Sequence, residues 1–249
     1  KKTQLSLDEL KNKYSKNKII TTIQCGGNRR NGLNEIRKTS GTPWEYGAIS
    51  TAEWGCVWLR DIIKDQKLEG VYHIQFEADE SLKASIPIEK AMNPYGDVMI
   101  AYEMNGEDIP REHGYPFRVI VPGYVGVKNV KWLRNIILSK EESDGPWQKS
   151  IAYKSLPHYV KDIKDINVDI IPSIQEQPIQ SVIIEPNDSI NKNSLIIPIK
   201  GFAYSGGGRG IIRVDVSIDD GKTWYLANLN KGSEQNINRA WAWTFWAID

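Results

Sequence analysis

The sequence has little that would direct it to a membrane or to a nucleic acid. No apolar run reaches the roughly 18 residues that a membrane helix needs, and the lysine-rich start has no apolar core of the signal-peptide type. Lys and Arg number 32 against 31 Asp and Glu, for a formal net charge of +1. No global field therefore favours nucleic acid or a lipid surface. We expect a soluble protein without either partner, in which any anion site is local.

Cysteine and histidine are also scarce. The two cysteines, Cys25 and Cys56, stand in unlike contexts, which argues against a disulfide framework and favours a reduced compartment. The three histidines, at 73, 113 and 158, form no HxxxH, and no CxxC is present. A zinc site needs about four ligands, so the sequence excludes one of the usual spacing.

The first two thirds of the chain predict a mixed α+β fold. Ser6 stands at a helix start, and β-branched runs recur at "IITTIQC", "GVYHIQF", "DVMIAYEM", "FRVIVPGYVG" and "VKWLRNIIL". The stretch "TAEWGCVWLRDIIKDQ" predicts a short helix, with Cys56 packed on its apolar face.

A domain boundary is predicted near residue 171, where "IPSIQEQPIQSVIIEPNDS" carries three prolines. Alternating strands follow, with an Asp-Gly hairpin turn at Asp220 and Gly221, a pattern typical of a small β-sandwich. We divide the chain into 1–170 and 171–249. The last strand stops abruptly, so we expect the sandwich to be incomplete, and we expect both domains to be portions of a longer protein. Nine Trp and eleven Tyr against four Phe hint at assembly, since such rings suit interfaces.

Cys25 in "TTIQCGGNRRNG" has three competing roles: nucleophile, soft metal ligand or inert buried thiol. Glycine N–H groups and the arginines at 29 and 30 favour its thiolate. No histidine stands in a recognisable pairing with it, and no zinc spacing exists. These considerations leave a single-thiolate site for a metal that is carried by something else.

Two further segments could bind an oxyanion. In "REHGYPFRVIVPGYVGVKNVKW", His113 and Arg118 bracket a Gly-Tyr-Pro turn, and Lys131 ends the next loop. Alternatively, Arg118 caps a turn and Lys131 is solvated. The loop "SGGGRG" lets backbone approach a ligand while Arg209 reaches out, although it lacks the setting of a P-loop.

Ordered segments across the chain resemble the eukaryotic sulfite oxidase family. They are "IQCGGNRR", "GAISTAEWG", "ASIPIEKAMNP", "AYEMNGEDIPREHGYPFRVIVPGYVGVKNVKWL", "EES", "SIQEQPIQS", "KGFAYSGGGRGIIRVDVSIDDGKTW" and "RAWAW". The resemblance runs from Thr21 to Trp246. It implies a molybdenum cofactor domain followed by an immunoglobulin-like β-sandwich that dimerises.

The resemblance also implies a cofactor site. By position, Cys25 gives its thiolate to molybdenum, whose other sulfurs belong to the dithiolene of molybdopterin, and a thiolate suits that role. The loop that holds Asp79 is shorter here than in relatives. The implied cofactor contacts are His113, Arg118, Asn129, Val130, Lys131 and Asp79.

For catalysis, the resemblance implies oxidation of sulfite to sulfate by oxygen-atom transfer. Arg30 and Arg209 would hold the dianion, because a guanidinium matches an oxyanion bidentately. Tyr153 would donate a hydrogen bond and assist proton flow. The blander alternatives are that Arg209 holds the domain interface and that Tyr153 is a wedge between domains.

Two alternative functions remain at this point: the molybdenum domain of an assimilatory nitrate reductase, and a cofactor-free dimerisation fragment. "KASIPIEKA" and the Tyr153 segment favour sulfite. The resemblance implies a homodimer. No haem-binding unit is encoded in this chain, so electrons would pass on to haem and cytochrome c in the mitochondrial intermembrane space, or to dioxygen in peroxisomes.

Overall fold

The computed structural model describes residues 3–78, 82–157, 159–186 and 196–249. Within these ranges no helix has both the length and the apolar character needed to cross a bilayer. Up to residue 170, which we call the N-terminal part, the helices and strands are α1 (Leu7–Lys13), β1 (Asn17–Gln24), α2 (Arg30–Asn34), β2 (Ile49–Trp58), α3 (Leu59–Ile63), β3 (His73–Glu77), β4 (Lys83–Pro87), α4 (Ile88–Met92), β5 (Met99–Met104), β6 (Glu107–Asp108), β7 (Arg118–Ile120), β8 (Asn135–Ser139) and α5 (Pro146–Lys149).

The predicted start of α1 at Ser6 is confirmed. The Ser6 hydroxyl accepts the Glu9 N–H at 3.2 Å, and the Glu9 carboxylate accepts the Ser6 N–H at 2.7 Å. This reciprocal pair is a capping box, which satisfies donors that a helix start leaves free.

Two antiparallel sheets form the N-terminal part. One has the order β1-β2-β5-β6, with β7 also paired to β5, and the other has the order β4-β3-β8. The larger sheet is buried on both faces: Val57, Ile100 and Val119 belong to one core cluster, while Cys56 and Ala101 belong to another. The Cys25 segment therefore starts from the edge strand of a sheet that is covered on both sides.

The predicted helix at residues 51–66 is wrong over its first half. The strand β2 ends at Trp58, and only Leu59–Ile63 are helical. Cys56 lies on the strand, fully buried between β1 and β5. Because both faces of this sheet are covered, apolar residues run continuously along the strand, and such a run resembles a helical stripe.

The C-terminal part, from residue 171, is a β domain, as expected. Its strands are β9 (Gln180–Glu185), β10 (Ile199–Tyr204), β11 (Asp215–Val216), β12 (Tyr225–Leu226), β13 (Asn228–Leu229) and β14 (Thr244–Ile248). They form a sheet of order β13-β14-β10-β9 and a separate β11-β12 ribbon. Asp220 and Gly221 have φ of 56° and 83°, as the predicted hairpin turn requires, within a longer loop that spans 217–224.

The two parts touch through a glycine-to-glycine contact. Gly123, with φ of 80°, follows β7, and a Cβ there would lie 1.6 Å from the Gly206 carbonyl oxygen. Gln177 N–H donates to the Gly123 carbonyl at 2.9 Å, and Trp241 Nε1 donates to the buried Asp97 carboxylate at 2.8 Å. The "SGGGRG" loop thus lies against the N-terminal part, while the division at residue 170 stays a prediction.

Candidate active site

Cys25 is the first residue after β1, where the chain leaves the sheet. Its N–H still donates to the Ala48 carbonyl at 3.0 Å, and Asn28 N–H returns to the Cys25 carbonyl at 3.0 Å. Gly27 N–H donates to Cys25 Sγ at 3.3 Å, and the thiol is half-buried. The Gly27 N–H thus points at the Cys25 sulfur, while the prediction that a glycine N–H of this loop faces an anion stays a prediction.

Arg30 lies in a slot between two glycines. A Cβ on Gly27 would lie 2.6 Å from Arg30 Nη2, and a Cβ on Gly41 would lie 2.6 Å from Arg30 Nη1. Arg30 Nη1 donates to the Thr42 carbonyl at 2.8 Å. Arg29, in contrast, reaches the C-terminal part and donates to the carbonyl of residue 181 at 3.1 Å. Sequence reasoning missed Gly41, whose signal was the glycine of "SGTP".

Tyr153 covers the other side of the Cys25 loop. Its Cε1 lies 3.4 Å from the position that a Cβ on Gly26 would take. Burial raises the pKa of Tyr153, the charge of Cys25 raises it further, and Arg30 opposes the rise. Trp147 packs on the ring edge-to-face, with centroids 6.0 Å apart. The structure therefore brings together Cys25, Arg30 and Tyr153, and keeps the phenol protonated as a donor.

The turn at residues 125–128 forms a wall behind Cys25 that the sequence did not reveal. Val125 Cγ2 lies 3.0 Å from the Cβ position of Gly26, and a Cβ on Gly126 would lie 3.0 Å from the carbonyl oxygen of Gln24. Asn129 holds this turn, because its amide donates to the Val125 carbonyl at 3.4 Å and to the Gly126 carbonyl at 3.3 Å. The side chain of Asn129 is therefore occupied by backbone.

Arg118 is buried, with 6% of its surface exposed. Its Nη1 donates to the His113 carbonyl and its Nη2 to the Asn129 carbonyl, both at 2.8 Å. The guanidinium stacks over Trp54 at 5.2 Å, and burial lowers its pKa to about 10. These contacts match the turn-capping alternative for Arg118. One donor, Nε, is buried without a hydrogen-bond partner, so it remains for a bound group.

His113 and Lys131 lie at the open side of this region. His113 is exposed, and Lys131 Nζ donates to the carbonyl of residue 112 at 2.8 Å. Burial lowers the pKa of Lys131, nearby Arg118 lowers it further, and Glu112 opposes the shift. Val130, next to Lys131, is buried. A cavity of about 660 Å³ opens beside them, lined by Ile109, Pro110, Arg111, Tyr115 and Trp132.

Arg209 is held by a partner in its own neighbourhood. Its Nη2 lies 2.6 Å from Glu176 Oε1, and its guanidinium folds over Gly207. Among the described residues, no hydrogen bond or ion pair joins Arg209 to Cys25, Arg30 or Tyr153. The C-terminal part does reach the end of β1, because Gln177 Nε2 donates to the Gln24 carbonyl at 3.1 Å. Asp79 and His158 lie outside the described residues, so the structure says nothing of either.

The residues present fit a cofactor-borne metal. In the part of the chain that the structure describes, no three His, Cys, Asp or Glu side chains gather as a metal site. A metal at Cys25 would thus receive one protein thiolate and bring its other ligands with it, which suits a soft, pterin-held metal. The unpaired Arg118 Nε and the cationic Lys131 suit an anionic cofactor.

Comparison with known families agrees with this donor set. The family model described as oxidoreductase molybdopterin binding domain matches residues 1–147, and the one described as Mo-co oxidoreductase dimerisation domain matches residues 171–249. The chain belongs to the molybdopterin-binding oxidoreductase family.

Individual relatives include mitochondrial sulfite oxidase of Rattus norvegicus, 45% identical over 98% of this chain and 46% of its own length. The nitrate reductase [NADH] of Lotus japonicus is 36% identical over 99% of this chain and 30% of its own. The solved sulfane dehydrogenase SoxCD of Paracoccus pantotrophus superposes with a TM-score of 0.79 at 28% identity, covering 98% of this chain and 59% of that one. The chain spans about half the length of the curated sulfite oxidases it matches.

Proposed function

We propose that this chain forms the molybdenum-cofactor and dimerisation part of an enzyme that oxidises sulfite to sulfate. The net reaction takes one water and releases two protons and two electrons. The observation that carries the proposal is the meeting of Cys25, Arg30 and Tyr153 at one glycine-lined loop. The 45% identity to rat mitochondrial sulfite oxidase supports the choice of substrate.

In this proposal, Cys25 is the only thiolate that the protein gives to molybdenum. Bound there, the cofactor supplies oxygen-atom transfer and takes up the electron pair. The Arg118 Nε–H and the Lys131 ammonium would bind its anionic groups. The residues proposed to hold the cofactor are His113, Arg118, Asn129, Val130, Lys131 and Asp79.

Arg30 binds the substrate anion. The hydrogen bond from Arg30 Nη1 to the Thr42 carbonyl holds the guanidinium in its slot. A guanidinium also stays charged at any working pH. Arg209 is the second cation. Because it is paired to Glu176, it must exchange that carboxylate for the substrate dianion.

Tyr153 donates a hydrogen bond to the bound anion and passes protons toward solvent. Burial and the charge of Cys25 both raise its pKa, so the phenol keeps its proton at neutral pH.

The C-terminal part joins two copies of the chain, as the family's dimerisation domain indicates. We place the protein in the mitochondrion, following the printed names of its relatives. The finer part of this proposal is the intermembrane space, with cytochrome c as acceptor. A haem-free route to dioxygen is the alternative.

The test measures molybdenum by plasma mass spectrometry and sulfite-dependent reduction of ferricyanide in the purified protein. We expect near-stoichiometric metal and turnover in the wild type. Because Cys25→Ser removes the protein thiolate proposed for the metal, it should lower the molybdenum content and reduce turnover by at least about tenfold. Cys56→Ala is the matched control, because that thiol is fully buried away from the loop. Metal with nitrate reduction but no response to sulfite would instead favour the nitrate reductase activity of the Lotus japonicus relative.

A further inference from the structure

Lys128 is a fully buried lysine behind the Cys25 loop that the proposed chemistry does not use. It ends the turn at residues 125–128, and its exposed fraction is 0%. Burial lowers its pKa to about 7, Glu142 opposes that shift and Lys154 adds to it. Burial of an ammonium is costly, and lysine is almost never fully buried unless paired. The partners of the Lys128 ammonium should therefore explain why it is buried.

The head group of Lys128 is bound to α5. Lys128 Nζ donates to Gln148 Oε1 in a close hydrogen bond. The same oxygen accepts the Ser85 N–H at 3.2 Å, and Gln148 Nε2 donates to Glu142 Oε2 at 2.8 Å. Gln148 is itself fully buried. The lysine therefore connects the turn behind Cys25 to the short helix that leads to Tyr153.

The other flank of Tyr153 enters the same cluster. Lys154, the next residue, lies 3.8 Å from Glu142 Oε1 and donates to the Ile171 carbonyl at 2.9 Å. Ser173 Oγ lies 3.2 Å from Glu142 Oε2 and 2.9 Å from the Gln148 carbonyl oxygen, and its single proton is shared between these two acceptors. Gln148 on one side and Lys154 on the other thus tie Tyr153 to one buried polar cluster.

We propose that Lys128 is a positioning residue that sets Tyr153 against Cys25 through Gln148 and Glu142. One end of its turn lies against Cys25: a Cβ added to Gly126 would lie 3.6 Å from the Cys25 Cα. The other end carries the lysine that holds the Tyr153 flank. Its kinetic consequence rests on the proposed sulfite oxidation, and its structural consequence does not.

The kinetic test uses Lys128→Met, Gln148→Met and the double variant. Each single change should lower kcat about tenfold, since small misplacement of a catalytic group costs one to two orders of magnitude. KM for sulfite should stay within about threefold, because the Arg30 slot is untouched. If both residues act through one hydrogen bond, the double variant should match the single ones. Independent losses that multiply would overturn the proposal.

The structural test is hydrogen exchange on the full protein, followed by mass spectrometry. Ile174 N–H donates to the Tyr153 carbonyl at 2.8 Å and Lys154 N–H to the Ile151 carbonyl at 3.2 Å. Lys128→Met should speed exchange at these two amides and leave β10 unchanged. Thr244→Val is the control, because it removes a buried hydroxyl that donates to the Gly232 carbonyl in the C-terminal part.

The two hypotheses fail in different ways. A wild-type protein that binds molybdenum but does not oxidise sulfite contradicts the proposed function alone, and the exchange experiment still tests the role of Lys128. Unchanged exchange in Lys128→Met, or the same faster exchange and lower kcat in Thr244→Val, would overturn the positioning role even in an active enzyme.

Discussion

The two cysteines lie beside opposite ends of the same strand and have opposite surroundings. Cys25 follows Gln24, the last residue of β1, whereas Cys56 pairs in register with Asn17, the first. The Cys25 sulfur is half-buried and accepts the Gly27 N–H. The Cys56 thiol is fully buried and donates to the Asn17 carbonyl at 3.6 Å. Burial, together with a smaller contribution from the charge of Asp97, raises its pKa to about 12.

The comparison shows that the surroundings of a thiol change where the chain leaves the sheet. Inside a sheet, backbone N–H groups are bound to neighbouring strands, so none remains to stabilise a thiolate. At the strand end, the Gly27 N–H points at sulfur and the Arg30 guanidinium lies beside the loop. Cys56 has an apolar core instead of such partners, which favours its neutral form and a packing role.

The largest effect should come from removing the hydroxyl of Tyr153, which lies on the Cys25 side of the comparison. Tyr153→Phe keeps the ring against Gly26 and Trp147 but deletes the donor. Because positioned proton donors contribute about 100-fold or more, we expect kcat for sulfite to fall by about that factor, with unchanged molybdenum content. Steady-state kinetics and metal analysis check this. Tyr72→Phe, at an exposed position, is the control, and equal kcat in both variants would contradict the role of Tyr153.

An intermediate effect is expected from filling the Arg30 slot. In Gly27→Ala, the new methyl would lie 2.6 Å from Arg30 Nη2, the movable end of a long side chain. The chain should therefore stay folded while Arg30 shifts, and KM for sulfite should rise about tenfold, equal to about 1.4 kcal/mol.

The matched control for this change is Gly32→Ala. A Cβ at Gly32 has open space around it and lies in α2, so KM should remain unchanged. A rise in KM for both variants would indicate a general disturbance of the loop rather than a shift of Arg30.

The smallest effect concerns the alkaline stability that Cys56 controls. Its pKa is about 12 in the fold against 9.0 for the ordinary thiol. The unfolded chain therefore releases this proton first, and the contribution of Cys56 to the free energy of unfolding is lost as pH rises from 9.0 toward about 12. Cys56→Ala should flatten that decline. Urea unfolding at about pH 8 and about pH 10.5 measures it, and parallel slopes in both proteins would contradict the assignment.

Much of the site could be predicted from local sequence. The Ser6 helix start and the Asp220–Gly221 turn depend on side chains and backbone within a few residues, and both are confirmed. The loop at Cys25 is equally local, because the glycine that donates to its sulfur stands two residues on. The ordered segments predicted the family, which the matched family models confirm. The catalytic and cofactor-binding roles of individual residues stay predictions.

Tertiary structure decided what depends on distant partners. The strand β2 was mistaken for a helix because only its pairing with β1 and β5 explains its continuous apolar run. The Arg30 slot, the Glu176 partner of Arg209 and the burial of Lys128 join segments far apart in the chain. A sequence specifies its local turns and caps through neighbouring residues. Which side chains share a buried site depends on how the sheets pack, and no single segment carries that information.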